Sequence, residues 1–215
     1  MSDFFINGVG YSMSTVDQSF LQQSLKLCEE ALPVNRKFDV ILLDPPWSYT
    51  ECNKPGLEGK IKYPTMSIDQ LYDLPIKKMC KKDAAVFCWT TSPKMSDAIM
   101  LLKNWGLKYK TIFRVWRKVT KSGDPVCGMG HWTRGVYEYL LVATVGSPLK
   151  YRTGLGGLQE ICARLGKHSS KPPQFRDAIR DFLDVPDRLE LFARERSEGF
   201  WSWGLEIENF LQPPV

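Results

Sequence analysis

Phe38 to Leu43 reads Phe-Asp-Val-Ile-Leu-Leu, a run too short for a helix and, apart from one aspartate, apolar at both odd and even positions. A strand apolar on both faces is the interior strand of a parallel sheet, and such a sheet needs helices on both sides to cover it. The expected class is therefore α/β, and the rest of the chain supplies the partners. Ala84 to Thr91, Tyr109 to Arg117, Tyr137 to Val145 and Arg188 to Ala193 read as further strands. Between them, Ser67 and Gln70 have the spacing of a capping box that starts a short helix toward Leu74. Ser92 and Pro93 read as the N-cap and first position of a helix that buries Ala98, Leu101, Leu102 and Trp105 and closes at Gly106. Residues 172–183 open on prolines and carry Phe175, Ile179, Phe182 and Leu183 at helical spacing. Alternating strands and helices predict a mostly parallel central sheet with helices on both faces.

Ahead of the first strand, residues 14–32 place Val16, Phe20, Leu25, Cys28 and Leu32 along one helical face, capped by Ser14 or Thr15 and ended by Pro33. The organisation expected is one domain over 1–215, with an N-terminal helical segment at 1–35 and a catalytic core at 36–206. The 215 residues are 43% hydrophobic and 25% charged, which suits a globular protein and excludes disordered, collagenous and coiled-coil chains. No run approaches the roughly 18 apolar residues of a membrane span, and the start lacks the regions of a signal peptide. A soluble, intracellular protein, in cytoplasm or nucleus, is expected. Its six cysteines, at 28, 52, 80, 88, 127 and 162, form no close pair, so reduced thiols and no metal are the reading.

Ligands of open α/β sheets bind beyond the carboxyl ends of the strands. There the first strand delivers Asp44-Pro45-Pro46-Trp47, a tetrapeptide expected by chance in roughly one chain of this length in a thousand or fewer. It can be a strand-ending aspartate and a rigid turn, but it also suits one chemistry. The exocyclic amine of a nucleobase is a poor nucleophile because its lone pair is delocalised into the ring. Acceptors placed at its two N–H groups favour a pyramidal, more nucleophilic nitrogen. Asp44 offers a carboxylate, Pro45 a carbonyl held by fixed backbone angles, and Trp47 a flat face for a base taken out of its stack.

These four residues resemble the catalytic motif of amino-methyltransferases acting on adenine N(6). Further segments follow in order: Tyr63-Pro64-Thr65-Met66-Ser67, Phe87-Cys88-Trp89-Thr90-Thr91, Trp105-Gly106, Val115-Trp116-Arg117-Lys118, Gly128-Met129-Gly130-His131-Trp132, His168-Ser169-Ser170-Lys171-Pro172 and Leu189-Glu190-Leu191-Phe192-Ala193-Arg194. Over residues 38–206 the chain resembles the family of the 70 kDa catalytic subunit of mRNA N(6)-adenosine methyltransferase and its bacterial, phage and protist relatives. The resemblance implies a Rossmann-like methyltransferase fold using S-adenosylmethionine. Composition and spacing imply neither, and no glycine-rich cofactor loop follows a strand; Gly154-Leu155-Gly156-Gly157 reads as a loop rather than a phosphate cradle.

The resemblance also assigns candidate roles. Lys171 would pair the cofactor carboxylate, with Ser169 and Ser170 donating beside it, at a helix start that favours anions. Arg194 and Glu206 would lie about the ribose and adenine, although Glu195, Arg196 and Ser197 stand where family members often carry an asparagine. Asp44 belongs to both cofactor and catalytic sets, with Pro45, Pro46 and Trp47. On the acceptor side stand Tyr63, His131, Trp132 and Glu138, the middle pair as gate or partner-contact residues. No separate base is needed, because the methylated amine turns acidic and can lose its proton to Asp44 or water.

Charge is distributed unevenly. Residues 103–121 hold seven basic side chains and no acid, whereas 181–208 hold eight acids against three arginines. The basic stretch suits a nucleic-acid backbone. The expected activity is methyl transfer to adenine in nucleic acid. DNA is favoured, since the chain shows no zinc finger or long extension and short stand-alone relatives are generally DNA enzymes; RNA is the alternative. A homodimer or a partner subunit, and a non-catalytic binding role, are further readings, the last opposed by the intact tetrapeptide.

Overall fold

The protein is described here from a computed structural model, which covers residues 3–6, 9–12, 26, 30–48, 65–128, 130, 132–154, 156–166 and 170–215. The expected helix at 14–32 lies mostly outside them. What the N-terminal segment does contain is an antiparallel hairpin, β1 (Asp3–Ile6) with β2 (Val9–Ser12), paired from Asp3↔Ser12 to Ile6↔Val9. A sequence signal for it exists, because Asn7-Gly8 separates the two runs.

The remaining strands are β3 (Phe38–Leu43), β4 (Cys80–Thr90), β5 (Lys108–Val119), β6 (Tyr137–Val145), β7 (Glu160–Arg164), β8 (Arg188–Leu191), β9 (Trp201–Trp203) and β10 (Leu211–Gln212). They form one sheet in the order β10-β9-β8-β3-β4-β6-β5-β7. β3 pairs parallel with β4 and β8, β8 with β9, and β5 with β7, while β6 runs antiparallel between β4 and β5. The sheet is mostly parallel, as a Rossmann-like fold requires.

Alternation along the strands sends side chains to two cores. Ile41, Leu43, Val86 and Cys88 face one side, packed on Leu71 of α1 (Ile68–Asp73), Ile76 and Met79 of α2 (Ile76–Met79), and Ala98, Leu101 and Leu102 of α3 (Met95–Asn104). Val40, Leu42, Phe87 and Trp89 face the other, against Phe175 and Ile179 of α4 (Gln174–Phe182). Each such side chain contributes about 1.5–3 kcal/mol when fully buried.

Local signals explain the helix ends. The capping box forms as expected: the Ser67 hydroxyl accepts from the Gln70 amide and the Gln70 side chain accepts from the Ser67 amide. Gly106 closes α3 in the left-handed region at φ 71°. The start of α3 differs from expectation: Ser92–Lys94 form a 3-10 turn with Thr91 in the cap position, and α3 begins at Met95. Pro93 fits the tight turn, while the Ser92 hydroxyl donates to Tyr139 rather than to the helix backbone.

Chain order reverses at β3, with β4 on one side and β8 on the other. Binding crevices of open sheets form at such reversals. The ends of β3, β4, β5 and β8 share one edge of the sheet, and antiparallel β6 brings its first residues to that same edge, where Trp116 is opposite Glu138.

Candidate active site

Asp44 leaves the end of β3 with its side chain 35% exposed. Its Oδ2 accepts a hydrogen bond from Lys171 Nζ at 2.5 Å. Lys171 arrives from the segment before α4, and its ammonium also stands 3.4 Å from Glu138 Oε2 and 5.5 Å from the centre of the Trp89 ring. The other oxygen of Glu138, Oε1, lies 2.5 Å from Lys118 Nζ on β5, which is 5.3 Å from the Trp116 ring centre. Four charges of alternating sign thus form a chain, Asp44, Lys171, Glu138 and Lys118, with the two middle members the most buried.

Burial alone would push the Glu138 carboxyl up, but the Lys171 and Lys118 ammonium groups outweigh it and hold Glu138 below the usual carboxylate value. Burial likewise works against the Lys171 ammonium, yet Asp44 and Glu138 raise it well above the ordinary lysine value. A permanently charged cation is therefore held buried behind Asp44. Cys88, buried one strand away, is pushed up by burial and then by the Asp44 charge, which keeps it a neutral thiol.

The backbone after Asp44 is fixed. The Trp47 amide donates to the Pro45 carbonyl at 2.8 Å, the Met66 amide donates to the Pro46 carbonyl at 2.9 Å, and Trp47 and Met66 form an isolated bridge. A carbonyl oxygen has two lone pairs, so the Pro45 turn retains acceptor capacity. The Trp47 ring is 6% exposed and its indole N–H donates to the Trp89 carbonyl at 3.3 Å. In this structure the ring is a wall that braces the tetrapeptide against β4, with little face open to a base.

Arg194 and Glu206, expected around a ribose and adenine, meet each other, Arg194 Nε lying 3.6 Å from Glu206 Oε1. They follow β8 and β9. The Ala193 amide donates to the Trp203 carbonyl at 2.9 Å, and Gly204 packs so closely that a Cβ there would overlap the Ala193 carbonyl and stand 2.9 Å from its amide nitrogen. Phe192 occupies the left-handed region at φ 61°, and Asn209 and Phe210 do so in the turn after Glu206.

Ser170 lies against Gly166, where a Cβ would meet its hydroxyl. Trp132 is 99% exposed and touches none of the charged cluster. Tyr63, His131 and Ser169 lie outside the described residues. Two participants were missed by sequence reasoning. Lys118 stands in the resembling segment Val115–Lys118 and in the basic run of residues 103–121, neither of which assigns it a site role. Glu190 is buried and takes a two-point hydrogen bond from Arg176, at 2.8 and 2.7 Å, with a third from Ser197 at 3.0 Å. A glutamate inside an apolar strand demands such a partner, which was the available signal.

The model of the MT-A70 family matches residues 38–206. The chain belongs to the MT-A70 family. It is 32% identical over 198 residues to the type II methyltransferase M.MunI of Mycoplasma sp, covering 84% of this chain and 82% of that protein. It is 29% identical over 198 residues to the N6-methyladenosine RNA methyltransferase MTA1 of Pyricularia oryzae, and 28% identical over 205 residues to the N(6)-adenine-specific methyltransferase METTL4 of Mus musculus. Those matches cover 88% and 89% of this chain but only 51% and 42% of the two relatives, so the chain spans about half or less of each. MT-A70 membership accounts for the Rossmann-like fold and implies S-adenosylmethionine as methyl donor.

Proposed function

We propose that this MT-A70 chain transfers a methyl group to the N6 amine of adenine in nucleic acid, with DNA as the polymer. The observation that carries the reading is the placement of Asp44: a carboxylate at the open end of β3, one oxygen held by Lys171, with the Pro45 carbonyl fixed beside it. Oδ2 stays with Lys171 while Oδ1 and the Pro45 carbonyl accept the two amine N–H groups, which favours the pyramidal nitrogen that attack requires. After transfer, Asp44 takes the proton or passes it to water. Trp47 holds the turn in place, its indole N–H tied to the Trp89 carbonyl. The match to a type II methyltransferase over most of its length supports DNA.

The residues present fit S-adenosylmethionine. The buried Lys171 cation suits the carboxylate of the donor, the Arg194–Glu206 pair can open toward a ribose, and the close approach of Gly204 to Ala193 leaves main chain rather than side chain along that edge. When bound, the donor supplies an electrophilic methyl on a sulfonium.

The test is transfer of labelled methyl to matched single-stranded DNA, duplex DNA and RNA, with folded Asp44→Ala as control. Label on adenine of DNA that disappears in the variant is expected, with a loss of at least about a hundredfold. Label on RNA alone would reassign the polymer, and no label on any of the three would sink the reading.

A further inference from the structure

We propose that Lys118 is a positioning residue for methyl transfer, acting through Glu138 to set where the Lys171 ammonium sits between Glu138 and Asp44. This rests on the active-site reading above and adds a residue to it. Lys171 Nζ has two carboxylates within reach, Asp44 Oδ2 at 2.5 Å and Glu138 Oε2 at 3.4 Å. Their balance decides how much of the Asp44 charge is left for a substrate amine. Lys118 enters that balance from the far side, 2.5 Å from Glu138 Oε1.

The pair is built into the sheet. The register of β5 on β6 sets Trp116 opposite Glu138, and Lys118 stands at the end of β5, where its amide donates to the Val136 carbonyl and its carbonyl accepts from the Val126 amide. Its backbone is thus tied on both sides, unlike that of a lysine on a solvated edge. The groups facing Glu138 are Lys118 from β5, Lys171 from the segment before α4, and Asp44 beyond it from β3. Trp89 of β4 and Trp116 of β5 line the two ammonium groups with ring faces. The neighbours on β6 itself are Tyr137 and Tyr139, and the Tyr139 hydroxyl accepts from Ser92 at 3.3 Å.

Two consequences follow. With Lys118 present, Glu138 remains ionised into the acid range and Lys171 remains shared. Without Lys118, Glu138 protonates at higher pH, its hold on Lys171 weakens, and the Lys171 charge is left to Asp44 alone. The basic run around Lys118 suggests the competing role of a phosphate contact, which would act on nucleic-acid affinity instead.

The experiment compares the unaltered chain with Lys118→Met, Lys118→Arg, Glu138→Gln and the Lys118→Met/Glu138→Gln double variant. Each is checked for folding by thermal melt, with Lys118→Gln as the substitute should Lys118→Met not fold. The expected result is a roughly ten- to hundredfold fall in kcat for Lys118→Met, the scale of a misplaced catalytic group. KM for the nucleic acid should hold, the acid limb of the kcat profile should move to higher pH, Lys118→Arg should recover, and Lys118→Met should cause no further loss in the Glu138→Gln background. Carbon-13 NMR titration of Glu138 in the ligand-free protein should show its carboxyl rising in Lys118→Met. A raised KM whose salt slope drops by about one, with kcat and the Glu138 titration unchanged, would make Lys118 a phosphate contact and overturn the proposal. If the unaltered chain methylates nothing, the functional reading fails, and the titration alone still decides whether Lys118 governs Glu138.

Discussion

Arg176 grips Glu190 at two points, Nε to Oε2 at 2.8 Å and Nη2 to Oε1 at 2.7 Å, and both side chains are nearly buried. The pair ties the first turn of α4 to β8. Lys171 lies three residues before α4, so the clamp holds the helix that follows the site lysine.

Breaking the clamp from one side should be costly. Arg176→Met leaves the Glu190 carboxylate buried with only the Ser197 hydroxyl, and loss of one partner from a buried pair costs about 3–5 kcal/mol. Urea unfolding should show that loss, while Arg176→Met with Glu190→Leu should regain much of it. Equal instability of the single and double variants would contradict the account.

Lys171→Ala should act on cofactor affinity. Calorimetry is expected to show S-adenosylmethionine binding weakened about tenfold or more, which is about 1.4 kcal/mol or above. The variant also leaves Glu138 facing Lys118 alone, so some loss of stability accompanies it. Unchanged affinity would remove Lys171 from the cofactor set.

Gly204→Ala tests the edge proposed for the ribose. The new Cβ would overlap the Ala193 carbonyl, main chain that cannot swing aside as a flexible side chain would. Overpacking of this kind costs about 1–3 kcal/mol. We expect a lower melting temperature together with weaker S-adenosylmethionine binding. A variant as stable as the parent would show that β8 and β9 yield more easily than their packing indicates.

Much of this arrangement was legible from residues alone. The strand of Tyr137 to Val145 has the bounds expected from its apolar pattern, and Phe38 to Leu43 is buried throughout. The strand of Glu160 to Arg164 escaped notice because it lies at the sheet edge, where only Ala163 is buried and no apolar alternation develops. Trp201–Trp203 and Leu211–Gln212 are too short to carry a period. Within the site, Asp44, Lys171 and Glu138 were each named, but their contact depends on pairings over long sequence separations. The β5 register that sets Trp116 opposite Glu138 includes irregularities at Tyr109/Thr111 and Ile112/Arg114, and those shifts leave no mark in residue spacing.

Acid should lower stability through carboxylates that lysines hold ionised in the folded protein. Glu138 ordinarily would titrate at 4.5, and although burial works to raise it, Lys171 and Lys118 hold it lower in the folded protein. A carboxyl lowered by folding contributes stability that is fully present above its unfolded value and is lost as pH falls through its folded value. Asp187, held down chiefly by its hydrogen bond from Lys81, has the same sign and acts at the opposite end of β8. Unfolding free energy should therefore be flat from neutral pH down to about 5 and fall below it. Glu138→Gln should flatten part of that slope, since its neutral amide has no proton to take up, and Asp187→Asn should flatten another part independently. Denaturant melts at half-unit pH steps measure both. A slope left unchanged by Glu138→Gln would mean that Glu138 titrates alike in the folded and unfolded chains and that the two lysines do not hold it.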